Sequence, residues 1–196
     1  NMIRKICAQG SANDWNNIDF LKALLEGRTP LSVCGKLYRR SLFDSLVFDL
    51  PKSMPYGEDY IMNVRLAVKV QKVRAIDKHV YNYVQHGNSC MHTFQNTWEY
   101  AKRMNGYLLQ PIRAYGLEEI CKKSIFHAHI HMLLEVLIDN DPGLSPKDPF
   151  LMEIKEYAKT INLSLREWLV LQMVACPFRL RCFIIETARK LSRLFR

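Results

Sequence analysis

From Phe94 to the C-terminus, apolar residues recur only at helical spacing, and this half of the chain holds no strand candidate. Gly116, the run Asp139-Asn140-Asp141-Pro142-Gly143 and Pro177 punctuate it, which predicts helices at about 95–115, 118–138, 146–160 and 164–175. The N-terminal half reads differently. Asn13-Asp14 precede Ile18, Leu21, Leu24 and Leu25, and Gly27 with Pro30 supplies the stop of one more helix. Leu31 to Val33 reads as a short strand, residues 37–46 as a short amphipathic helix, and 48–55, with two prolines, as a loop. Residues 72–76 and 79–84 read as two strands joined by a turn at Asp77-Lys78. The expectation is a helix-dominated α/β chain: a few short strands, then an all-helical extension.

At 196 residues and 48% hydrophobic, the chain can bury a real core. Six cysteines, at positions 7, 34, 90, 121, 176 and 182, form no C-x-x-C pair and follow no secretory signal, so free thiols in a reducing cytoplasm are expected. The net charge of +9 raises the question of a nucleic-acid partner, and its distribution answers it. Residues 177–196 carry six basic residues against one acid, which leaves only +4 for the other 176. The excess belongs to a tail rather than to a basic face, so no nucleic acid is expected.

The chemistry concentrates upstream of that tail. Met54-Pro55-Tyr56-Gly57-Glu58-Asp59-Tyr60 is a turn with two adjacent carboxylates that leads into Ile61, Val64, Ala67 and Val68 at helical spacing. Glu58 and Asp59 therefore fall at a helix N-terminus, where acidic residues also serve as plain caps that oppose the helix dipole. Around this turn stand Val33-Cys34-Gly35-Lys36-Leu37-Tyr38-Arg39-Arg40-Ser41-Leu42-Phe43 before it, and Val80-Tyr81-Asn82-Tyr83 leading to Asn88-Ser89 after it.

In that order, these segments resemble the acceptor-side half of a family-2 inverting glycosyltransferase of the GT-A fold. The family carries a "K-L-Y/F-R-R-x-x-F" segment, an acidic "E-D" turn opening a helix, and a "Y-x-Y" strand ending in a basic residue and a serine. The likeness covers about a third of the chain, and implies that residues 1–93 are the C-terminal, acceptor-side part of a GT-A catalytic domain. Residues 94–176 would then be a helical extension and 177–196 a basic amphipathic helix.

Asp59 matches the family's catalytic base. Displacement at an anomeric carbon with a nucleoside diphosphate as leaving group needs one base, which takes the acceptor hydroxyl's proton as that oxygen attacks from the opposite face. Glu58 would orient the acceptor, Lys36 would contact substrate, and His86 and Ser89 would lie near the donor diphosphate. His86 stands where an arginine is common, and Val84 replaces another. For the complete enzyme the resemblance implies a nucleotide-sugar donor, a divalent metal (Mg or Mn) and a glycan or lipid-linked acceptor. Neither donor nor metal is expected on this chain, because the nucleotide-binding sheet with its aspartate pair precedes the segments found here. Asp139-Asn140-Asp141 has the letters of such a pair, but its Pro-Gly turn chemistry explains it. The chain is thus read as a C-terminal portion, incomplete as a catalyst alone. An apolar flank around 31–34 and 72–84, left uncovered, would drive homo-oligomerisation.

His127 and His131 share a helix face with Glu135 one turn on, but lack a third ligand at a recognised spacing and read as structural, with no metal. At 100° per residue, 178–196 segregate Leu180, Phe183, Ile184, Ala188, Leu191, Leu194 and Phe195 from Arg179, Arg189, Lys190, Arg193 and Arg196. Two readings stand for this helix. It lies on an anionic membrane surface, at the inner face of the plasma membrane, or its apolar face docks on the helical half as core. A non-catalytic binding scaffold derived from a degenerate transferase is the alternative for the whole chain.

Overall fold

The computed structural model describes residues 3–5, 14–76, 78, 80–84 and 94–194. Among them are four short strands: β1 (Ile3–Lys5), β2 (Asp14–Trp15), β3 (Val73–Arg74) and β4 (Asn82–Val84). Seven α-helices carry most of the chain: α1 (Asn17–Leu25), α2 (Glu58–Ala67), α3 (Trp98–Ala114), α4 (Glu118–Ile138), α5 (Pro149–Ala158), α6 (Leu165–Ala175) and α7 (Phe178–Leu194). The helix-dominated expectation holds, and no strand occurs among the described residues after Phe94.

The chain forms two compact units, one of residues 1–94 with 104–125 and one of 95–103 with 126–196. Helices α3 and α4 contribute to both. In the first unit α1 packs on α2. Phe20, Leu21, Leu24 and Leu25 recur on one stripe of α1 and are buried, as are Ile61, Val64 and Val68 of the α2 segment. Asn16 caps α1 by accepting from the Asp19 amide at 2.8 Å.

The strands pair in an unexpected way. Residues 72–76 and 79–84 do not form a hairpin: β3 pairs antiparallel with β2, and β4 antiparallel with β1. Asp14 explains the first ribbon, since it sits opposite Arg74 in register and its carboxylate takes hydrogen bonds from Arg74 Nε at 2.8 Å and an ion pair from Lys72 at 2.6 Å. These two cations hold the Asp14 carboxyl well below the usual carboxylate range. Leu31–Val33 is a bend rather than a strand. The amphipathic helix expected over 37–46 is replaced by two single 3₁₀ turns, Arg40–Leu42 and Ser45–Phe48. The second is pinned by Arg65, buried in α2, whose Nη1 donates to the Leu46 and Asp49 carbonyls.

In the second unit Trp98, Phe126, Leu133, Val136, Leu151 and Val170 join one apolar cluster. Its helix ends follow the sequence closely. Asp148 caps α5, with Pro149 at its first position, and Ser164 and Glu167 form a reciprocal capping box on α6. Helix α3 is capped from a distance. Asp139 Oδ2 accepts from the Asn96 amide and Asp141 Oδ2 from the Trp98 amide, both at 2.7 Å. The 139–143 turn, with Asn140 at φ 56°, thus spends its carboxylates on helix amides.

Helix α7 docks through a charged residue rather than through its apolar stripe. Its inward side carries Arg181, only 2% exposed, whose Nη2 donates to the Asp141 carbonyl at 3.0 Å. The apolar residues Leu180, Phe183 and Ile184, which core docking would bury, are exposed. Among the described residues no helix is long and apolar enough to cross a membrane.

The same unit supplies a pH test. The His129 ring meets Phe150 edge-on, centroids 5.1 Å apart, and burial pulls its pKa down from 6.5 to about 4. Because folding favours the neutral ring, this contribution is complete above pH 6.5 and is lost as the pH falls toward 4. His129→Phe is expected to remove an acid sensitivity on the order of 3 kcal/mol. Melting temperatures of both proteins at neutral pH and near pH 4.5 check this: the wild type should fall further than the variant.

Candidate functional site

The acidic turn is built as its sequence requires. Gly57 stands at the N-cap of α2 with φ +83°, a left-handed conformation that a side chain disfavours. A Cβ on Gly57 would also meet Met104 Sδ at 2.5 Å. Upstream, Met54 is buried and the Tyr56 ring stacks on Phe94 with centroids 5.2 Å apart. The chain therefore enters α2 along a fixed path, placing Glu58 outward in solvent and Asp59 half-buried.

Asp59 reaches across to another segment. Its Oδ2 accepts from the Val33 amide at 3.2 Å, which ties the 30–38 segment to the start of α2. One turn on, the fully buried Asn63 completes the attachment. Its Nδ2 donates to the Leu31 carbonyl at 2.7 Å and to the Asp59 carbonyl at 3.0 Å, and its Oδ1 accepts from the Tyr38 hydroxyl at 2.7 Å.

Lys36 lies in this segment outside any helix, with its ammonium donating to the Pro30 carbonyl at 2.6 Å and to the Ser32 carbonyl. Its ammonium folds back onto its own loop. Burial lowers the Lys36 pKa to about 8, against an opposing pull from the Asp59 charge. Burial, reinforced by the same carboxylate, raises the Tyr38 phenol well above its ordinary value, so it remains a neutral donor to Asn63. Ser32 Oγ is buried with no protein partner in this loop. Gly35, at φ +71°, lets the loop turn against Val80 and Tyr81.

Of the residues singled out in the sequence, Asp59 and Lys36 therefore come together, with Glu58 on the adjoining exposed rim. His86 and Ser89 lie outside the described residues, as do Cys7 and Cys90; the described cysteines, 34, 121, 176 and 182, are free thiols. Arg39 is exposed. Sequence reasoning missed Tyr38, Ser32 and Asn63 as members of the site. The signal for Asn63 was an amide four residues after Asp59 within an otherwise apolar stripe.

No family model, curated protein or solved structure matches the chain. On α4, His127 Nδ1 pairs with Glu167 at 2.7 Å, and Glu135 accepts from Asn96 Nδ2 at 2.8 Å. Among the described residues no group of three or more His, Cys, Asp or Glu side chains is arranged to hold a metal.

Gly57→Ala is expected to cost about 1–3 kcal/mol, because it combines an unfavourable φ with a clash. Denaturant unfolding measures this, and a loss under about 0.5 kcal/mol would mean that the turn relaxes freely.

Proposed function

We propose that the chain is the acceptor-side portion of an inverting glycosyltransferase with a GT-A-type catalytic half, and that Asp59 is its base. One observation carries the reading. The lysine–tyrosine segment and the acidic turn, 23 residues apart from Lys36 to Asp59 in sequence, fold together so that the Asp59 charge acts on both Lys36 and Tyr38. Such a carboxylate can accept the proton of an acceptor hydroxyl while that oxygen forms the bond to the anomeric carbon. The bond from that carbon to the nucleoside diphosphate breaks, and the leaving group departs with the electron pair. The exposed Glu58 carboxylate is suited to accept hydrogen bonds from acceptor hydroxyls. The acceptor is a glycan or a lipid-linked glycan, and the activity belongs to polysaccharide assembly.

The nucleotide-sugar and its divalent metal belong with a nucleotide-binding half outside this chain. The one aspartate pair here, Asp139 and Asp141, is spent on amides of the α3 segment and does not fit a metal role. A metal on the donor would neutralise the leaving diphosphate. The exposure of Ile76, Val80 and Tyr81, at 54%, 57% and 42%, supports a covering sheet on that flank.

A scaffold without catalysis has its own support, because Asp59 and Lys36 both fasten the 30–38 loop. Asp59→Asn separates the two. The amide keeps an acceptor for the Val33 amide but is no base. With the nucleotide-binding half present, transfer from a nucleotide-sugar should fall about 10²–10⁴-fold while donor binding persists. Transfer within a few-fold of wild type would remove Asp59 from the chemistry and leave the scaffold reading. For the chain alone, light scattering should register self-association that Val80→Lys weakens, whereas a monomer at every concentration contradicts the uncovered flank.

A further inference from the structure

Helix α7 is attached by one side and presents the other, apolar side to solvent. Arg181 and the half-buried Ile185 face the second unit, Arg181 through the Asp141 carbonyl and the Phe178 ring, 5.4 Å from its guanidinium carbon. Phe183 lies two residues from each of them, about 160–200° around the helix, and is 68% exposed. Leu180 and Ile184 flank it at 49% and 39% exposure. The positions of Leu191 and Leu194 continue that stripe along the helix. A soluble monomer seldom displays this much apolar side chain without something to cover it.

We propose that this stripe is a docking surface for an anionic lipid bilayer. Charge selects that occupant. Arg179, exposed, borders the stripe, and the positions of Lys190 and Arg193 continue the same border, with Glu186 as its one acid. Apart from the buried Arg181, residues 177–196 hold five cations against that acid, an excess that a bilayer rich in acidic headgroups complements. A helix with Leu, Ile and Phe on one face and Arg and Lys beside it settles into the headgroup layer without crossing it.

The buried Arg181 makes deletion of α7 a poor test, since it would remove an anchor of the second unit along with the stripe. Point changes at exposed positions avoid this. The full chain should co-sediment with phosphatidylcholine vesicles containing phosphatidylserine, and not with phosphatidylcholine alone, and salt should weaken the binding. Phe183→Glu should reduce that binding about tenfold or more, and Arg179→Glu should reduce it less, with the melting temperature unchanged in both. Failure to bind the anionic vesicles, equal binding to neutral ones, or full binding by Phe183→Glu overturns the proposal. A lowered melting temperature for Phe183→Glu overturns it as well, because the stripe is then covered by the chain itself. So does a lipid-free dimer abolished by Phe183→Glu, which makes a second copy the occupant. None of these outcomes bears on Asp59, so this proposal and the catalytic one fail separately.

Discussion

A single buried amide, that of Asn63, holds together the part of this protein where chemistry is concentrated. An amide side chain taken out of water must have both its donor and its acceptor satisfied, at a cost of roughly 1–3 kcal/mol for each group left unpaired. Asn63 meets this requirement with the Leu31 carbonyl, the Asp59 carbonyl and the Tyr38 hydroxyl. Three partners from two segments leave the 30–38 loop essentially one way to lie against α2. Asp59 then receives the Val33 amide, and Lys36 is drawn within reach of its charge as a consequence of that placement.

The second unit solves a related problem with carboxylates. Helix α3 has one local cap, Thr97 Oγ1 accepting from the Tyr100 amide, and the turn after α4 supplies Asp139 and Asp141 to the amides of Asn96 and Trp98. The same turn offers the Asp141 carbonyl to Arg181. One polar turn thus anchors two helices, and the apolar cluster around Trp98 and Leu133 fills the space between the elements of that unit. With Arg181 and Ile185 on the inward side of α7, Phe183 faces outward.

Helices were the legible part of the sequence, because caps and stops act locally. Glu118–Ile138 falls where Gly116 and the 139–143 turn bracket it, and Ser164 with Glu167 marks the start of α6. Strand pairing was not legible, since segments of two or three residues have no periodicity to read. Their partners are chosen by distant contacts such as Asp14 with Arg74. The helix expected over 37–46 fails for a tertiary reason: Tyr38 and Arg65 draw that stretch onto α2 by hydrogen bonds that compete with helical ones. The candidate site divides in the same way. Asp59 stood out by its turn, whereas Asn63, Tyr38 and Ser32 acquire their importance from contacts made only on folding. For α7, the helical spacing showed an apolar stripe but could not say which side would be buried, because the inward side holds Arg181 bonded to the Asp141 carbonyl and Ile185 packed on the cluster.

If Asn63 is the clamp, the amide of Val33 should register its loss. Residue-resolved hydrogen exchange of wild type and Asn63→Ala reads this directly. Protection of the Val33 amide should fall about tenfold or more, while α5 and α6 exchange as before. Unchanged protection at Val33 in the variant would mean that the loop is held by other contacts, and that Asn63 does not build the site.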